Sequence, residues 1–107
     1  MDKLQVVKIG GNVIENREAL LDFLKDFATL SGPKILIHGG GKEATQMAEK
    51  LGIEVQLIEG RRITDTQNLE LITMLYAGKL NKTIVAHLQA LGCNSLGLSG
   101  ADGNSIL

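Results

Sequence analysis

Two short stretches place a lysine beside consecutive glycines: Lys8-Ile9-Gly10-Gly11-Asn12 and His38-Gly39-Gly40-Gly41-Lys42. Residues without side chains let backbone N–H groups come close to an anion, and a neighbouring ammonium adds positive charge. The composition therefore suits a phosphoryl or carboxylate ligand. For the first stretch, a plain tight turn with a solvated Lys8 accounts for the residues equally well, because short glycine motifs recur by chance. The second is more telling. Glycine loses the most conformational freedom on folding, a simple turn rarely needs three in a row, and ligand binding is the better reading. His38 itself reads as a strand-end histidine with satisfied hydrogen bonds rather than a catalyst. A third feature, Arg62-Ile63-Thr64-Asp65, sets a planar guanidinium just ahead of a helix cap, where it can grip a carboxylate bidentately. A surface arginine paired with Asp65 or Glu59 is the plain alternative.

Neither glycine stretch has the spacing of a Walker A loop or of the dinucleotide-binding fingerprint, which sets aside P-loop and Rossmann chemistry. An esterase is a distant alternative: His38-Gly39-Gly40-Gly41 could supply oxyanion amides, and Gly97-Leu98-Ser99-Gly100-Ala101 is one residue short of a nucleophile elbow. That reading leaves Lys8, Gly10, Gly11 and Arg62 without a task.

These loops need strands and helices to hold them. Residues 4–9 are short and β-branched and end at Gly10-Gly11, as a buried strand does on entering a glycine turn. Asn16 can cap a helix running to about Thr29, with Leu20, Leu24, Phe27 and Ala28 on one face, stopped by Ser31-Gly32-Pro33. A strand over 34–38 leads into the three glycines. Ala44, Met47, Ala48 and Leu51 then recur at helical spacing up to Gly52, a C-terminal cap. Residues 53–57 alternate like a half-exposed strand and turn at Glu59-Gly60 into Arg61-Arg62-Ile63, which suggests a hairpin.

From the capping candidates Thr64 and Asp65, apolar residues from Leu69 through Ile72, Leu75, Tyr76, Leu80, Ile84 and Leu88 to Leu91 predict one long helix over 66–91, ended by Gly92. Gly78 in its middle is costly in a helix and suits a close helix contact, which a second subunit could supply, and Ala77-Gly78-Lys79-Leu80-Asn81-Lys82 reads by default as helix packing. A further short strand is expected over 95–98, then a loop over 99–103. Alternating strands and helices imply a mostly parallel sheet that binds ligands beyond the carboxyl ends of its strands, where both glycine loops lie.

With 107 residues, 44% of them hydrophobic, the chain has the makings of a packed core. Eleven basic and twelve acidic residues give a net charge of −1, which offers no field for nucleic acid or an anionic membrane. Cys93 is the lone cysteine, which excludes an internal disulfide framework or a cysteine-rich zinc site and fits a reducing, cytoplasmic setting. No signal segment or membrane-spanning stretch is visible.

Taken in order, KIGGN at 8–12, HGGGK at 38–42, GRRITD at 60–65, AGKLNK at 77–82 and GLSGADG at 97–103 resemble the amino-acid kinase family over essentially the whole chain. The resemblance implies an α/β fold, a mostly parallel sheet sandwiched between helices. In it, residues 1–107 form the substrate-binding amino-terminal lobe, and the carboxyl-terminal ATP-binding lobe is absent from this chain. It implies transfer of the γ-phosphoryl group of ATP, accompanied by Mg²⁺, to the side-chain carboxylate of N-acetyl-L-glutamate, in arginine biosynthesis. N-succinylglutamate, another family acceptor, or a non-catalytic ligand sensor are the alternatives.

On that reading Lys8 is catalytic and stabilises the transferring phosphoryl group, which the Gly10 and Gly11 amides cradle. The Gly40 and Gly41 amides hold the reacting end of the substrate, and Arg62 binds its α-carboxylate. No protein metal ligand is expected. A carboxylate acceptor is already ionised at neutral pH, so alignment and charge neutralisation suffice without a general base. The resemblance further leads us to expect a homodimer formed through helix 66–91, insensitive to arginine, with the 107-residue chain inactive by itself.

Overall fold

The computed structural model describes residues 3–54, 56–58, 61–63 and 65–105. Strand β1 (Gln5–Lys8) pairs in parallel with β2 (Lys34–Ile37), with Val6 opposite Ile35 and Lys8 opposite Ile37. Between them lie a one-turn helix α1 (Gly11–Glu15) and α2 (Arg17–Thr29). The Asn16 side chain caps α2 as its sequence suggests, accepting a hydrogen bond from the Ala19 amide at 3.1 Å. At the other end of α2, the Lys34 ammonium donates to the carbonyls of Ala28 (3.2 Å) and Leu30 (2.6 Å) and neutralises the negative helix terminus. Helix α1 was not legible in the sequence, because a single turn is too short to carry a hydrophobic period.

Helix α3 (Gly41–Leu51) ends at Gly52, whose φ of 70° is left-handed, as the cap requires. The next amide, Ile53, reaches back to the Ala48 carbonyl at 2.8 Å, and its side chain packs against Ala44, Ala48, Leu71 and Leu75. Ile53 thus closes the helix terminus instead of opening a strand. The hairpin strand expected over 53–57 accordingly begins later, as β3 (Gln56–Ile58), and pairs antiparallel with β4 (Arg61–Ile63). The turn residues Glu59 and Gly60 lie outside the described residues.

The long helix is present but not uniform: α4 (Thr66–Ile72) and α5 (Asn81–Ala90) are joined by a π-helical segment, Thr73–Leu80. Its N-cap is Asp65, which accepts from the Asn68 amide at 2.9 Å; the other candidate, Thr64, lies outside the described residues. The buried residues Leu71, Leu75, Leu80, Ile84 and Leu88 explain the middle segment. Successive separations are four residues except between Leu75 and Leu80, where one extra residue must be absorbed to keep a single face inward. A π-helical turn does this. Leu69 and Leu91, expected on that face, are exposed. A Cβ at Gly78 would meet only the Thr73 carbonyl oxygen, at 3.8 Å, so no neighbouring helix of the described residues packs closely there.

Helices α2 and α5 cover one side of the β-pair, burying Ile9, Leu24, Phe27, Leu80, Ile84 and Leu88 against Val7 and Leu36. Leu4, Val6, Ile35 and Ile37 are exposed and, by register and alternation, share the opposite side. A smaller core joins α3 to α4, and Tyr76 packs against both cores. Residues 95–98 form no strand: Leu96 is 82% exposed, and a groove of about 810 Å³ separates this segment from β2. Without a ladder partner, the alternation of apolar residues does not make a strand.

Candidate functional site

The parallel pairing fixes where the sequence-derived residues come together. Lys8 ends β1 opposite Ile37, and the Ile9 amide donates to the Ile37 carbonyl at 3.0 Å, so the two glycine loops leave the pair side by side at its carboxyl end. Gly10 is the N-cap of α1 and Gly40 that of α3, and neither helix start is satisfied by a side-chain cap. An uncapped start of an eleven-residue helix such as α3 leaves backbone N–H donors for an anion.

The glycines are not equivalent. A Cβ built on Gly10, Gly11 or Gly39 would meet nothing within 4 Å, so space and not packing surrounds these three. Gly40 is buried, and a Cβ there would collide with Leu80 Cδ1 and lie 3.2 Å from Tyr76 Cε1. Its smallness is a packing requirement. Lys8 is exposed and has no hydrogen bond or ion pair among the described residues, which leaves its ammonium available. The backbone of Arg62 sits in β4 opposite Leu57, while its side chain lies outside the described residues.

Several groups that fix these loops are absent from the glycine motifs themselves. Glu15 of α1 pairs with Lys42 of α3 at 3.3 Å and ties the two loops' helices together. Glu43, also on α3, pairs with Lys79 of the π-helical segment. His38 hydrogen-bonds the Gly39 carbonyl through Nδ1 at 3.0 Å and meets the Asn81 amide nitrogen through Nε2 at 3.3 Å, so it is a satisfied strand-end histidine. Four of the loop's partners, Tyr76, Lys79, Leu80 and Asn81, lie in or beside the AGKLNK stretch, which the sequence marked only as ambiguous.

The GLSGADG loop folds on itself. Asp102 accepts from the Ser99 amide at 2.6 Å and from the Ser99 hydroxyl at 3.0 Å, and the backbone hydrogen bond foremost, then the hydroxyl, holds its carboxyl below the usual carboxylate range. Ser99 thus serves a turn of the Asp102–Asn104 3₁₀ segment, and no strand precedes it. The strand-to-helix elbow that an esterase nucleophile needs is missing. Among the described residues no cluster of three or more His, Cys, Asp or Glu could hold a metal ion, and no helix is long and apolar enough to cross a membrane.

Residues 3–107 match the model of the amino acid kinase family. The chain is 57% identical, over its full length, to an acetylglutamate kinase of Cytophaga hutchinsonii and covers 40% of that protein. It is 54% identical over 97% of its length to one of Parabacteroides distasonis, covering 41% of it, and 39% identical over 97% to one of Methanopyrus kandleri, covering 39%. The chain therefore spans about 40% of the length of the curated relatives it matches. In fold it is similar to the smu.665 protein of Streptococcus mutans UA159, with a TM-score of 0.68 at 23% identity over 83% of this chain and 37% of that one. It also resembles the N-acetylglutamate synthase of Neisseria gonorrhoeae, crystallised with coenzyme A and L-arginine, with a TM-score of 0.59 at 25% identity over 90% of this chain and 22% of that one. Five motifs in order, a parallel pair delivering two glycine loops to one end, and these matches lead to one statement: the chain belongs to the amino acid kinase family.

Proposed function

We propose that these residues form the acceptor-binding part of an acetylglutamate kinase, a cytoplasmic enzyme of arginine biosynthesis that phosphorylates the side-chain carboxylate of N-acetyl-L-glutamate with ATP. The observation that carries the reading is the convergence of both glycine loops at the carboxyl end of the β-pair, where Lys8 ends β1 with no ion pair among the described residues. A carboxylate oxygen attacks the γ-phosphorus, the bond to the bridging oxygen of ADP breaks, and an acyl phosphate and ADP result with no proton to move. The task left to the protein is alignment and neutralisation of charge. Lys8 and the Gly10 and Gly11 amides meet the transferring group, and the Gly40 and Gly41 amides at the start of α3 hold the reacting carboxylate. Arg62 takes the α-carboxylate. Mg²⁺ is carried in on the ATP phosphates and neutralises their charge. The donor pocket belongs to the part of such an enzyme that these residues do not span, and the helical region over 66–91 is the surface we assign to a two-fold partner.

Arg62→Ala in the full-length protein tests the acceptor assignment. Losing a charged hydrogen bond to the α-carboxylate should raise KM for N-acetylglutamate by roughly 10- to 100-fold and leave KM for ATP nearly unchanged. An equal rise for both substrates would count against it.

A further inference from the structure

The HGGGK loop is held from above by four residues of the long helix. Tyr76 and Leu80 lie over Gly40, Lys79 pairs with Glu43, and Asn81 meets His38. This requires the π-helical turn. In a regular helix with Leu71 and Leu75 buried, the next inward position would fall on Gly78 or Lys79; the extra residue brings Leu80 over Gly40 and sets Asn81 beside the His38 ring. Asn81 also touches a second loop. Its Oδ1 accepts from Lys82 Nζ at 3.2 Å, Lys82 Nζ donates to the Gly97 carbonyl at 3.0 Å, and a Cβ on Gly97 would collide with Asn81.

The polarity of these contacts assigns the protons. The Gly39 carbonyl can only accept, so His38 Nδ1 carries the hydrogen, and Nε2 of the neutral ring is left with its lone pair. With the Asn81 oxygen committed to Lys82, its amide NH₂ faces Nε2 and donates to it. We infer that Asn81 is a positioning residue: acting through His38, it fixes the ring as the Nδ1–H tautomer, holds the Gly39 carbonyl, and so sets the direction of the Gly40 and Gly41 amides, while Lys82 locks the same unit to the loop at Gly97. The effect on substrate rests on the function proposed above; the tautomer does not.

The chain has only two histidines, His38 and His87, so long-range imidazole ¹H–¹⁵N spectra resolve both rings. His38 should show the Nδ1–H pattern in the unliganded protein, and Asn81→Ala should move it toward Nε2–H, the form free imidazole prefers, with His87 unchanged as the control for folding. Asn81→Asp, which keeps the shape but offers only acceptors, should place a proton on Nε2. In the full-length protein, Asn81→Ala should weaken N-acetylglutamate binding by about tenfold in calorimetry, the worth of one buried hydrogen bond. An Nε2–H pattern in the native protein, or spectra unmoved by either substitution, would overturn the inference even if N-acetylglutamate binds normally. Tautomer shifts as expected in a protein that does not bind N-acetylglutamate would overturn the proposed function and leave the role of Asn81 standing.

Discussion

Lys8 has two readings that its sequence leaves open, and its surroundings bear on both. In Lys8-Ile9-Gly10-Gly11-Asn12, a solvated lysine beside a tight turn and a phosphoryl-binding lysine look the same. The fold places it on the uncovered side of the β-pair, unpaired among the described residues, next to two glycines with open space where side chains would be. Its charge is needed most while the phosphoryl group is in transit, so Lys8→Ala should lower kcat by roughly 10²- to 10³-fold with a much smaller change in either KM. Steady-state kinetics on the full-length protein decide this, and an unchanged kcat removes Lys8 from the mechanism. The contribution of Asn81 was out of reach of the sequence for a different reason. AGKLNK lies in a run of helical periodicity, and only the extra residue between Leu75 and Leu80 turns that asparagine toward His38.

At the scale of elements, legibility followed local chemistry. Asn16, Gly52 and Gly92 mark helix ends by mechanisms that need no tertiary information, and each does so: Asn16 bonds Ala19, while Gly52 and Gly92 take φ of 70° and 79°. What depends on a partner in space could not be read. Residues 95–98 alternate like a strand but have no ladder to join, and Ile53 was diverted from a strand by the cap of α3. The cap of α4 gives a test by pH. The Asn68 amide, then its side chain, hydrogen-bonds the Asp65 carboxylate and lowers its pKa in the folded chain. Stability from this cap is therefore complete above the unfolded aspartate value, about 3.9, and is lost as pH falls through the lower folded value. Asp65→Asn keeps a capping oxygen without the titration. Its urea midpoint should fall less between pH 6 and pH 3 than that of the native chain; identical pH dependence would show that the cap is not linked to protonation.

At the scale of the molecule, the described residues have a radius of gyration of 15.0 Å, against about 13 Å for a compact chain of this size. The parallel pair is covered by helices on one side, with Leu4, Val6, Ile35 and Ile37 exposed on the other. A parallel sheet is normally covered on both. The open side is also that of Lys8, the residue we assign to the transferring phosphoryl group. The central claim is that the full-length protein built on these residues moves a phosphoryl group onto the side-chain carboxylate of an acylated glutamate. The most direct measurement is to incubate it with ATP, Mg²⁺ and hydroxylamine and to quantify the hydroxamate that traps an acyl phosphate, comparing N-acetylglutamate with glutamate and aspartate. Hydroxamate formed with N-acetylglutamate, in step with ADP release and abolished by Lys8→Ala, is the expected result. No hydroxamate, or equal amounts from the three amino acids, would contradict it.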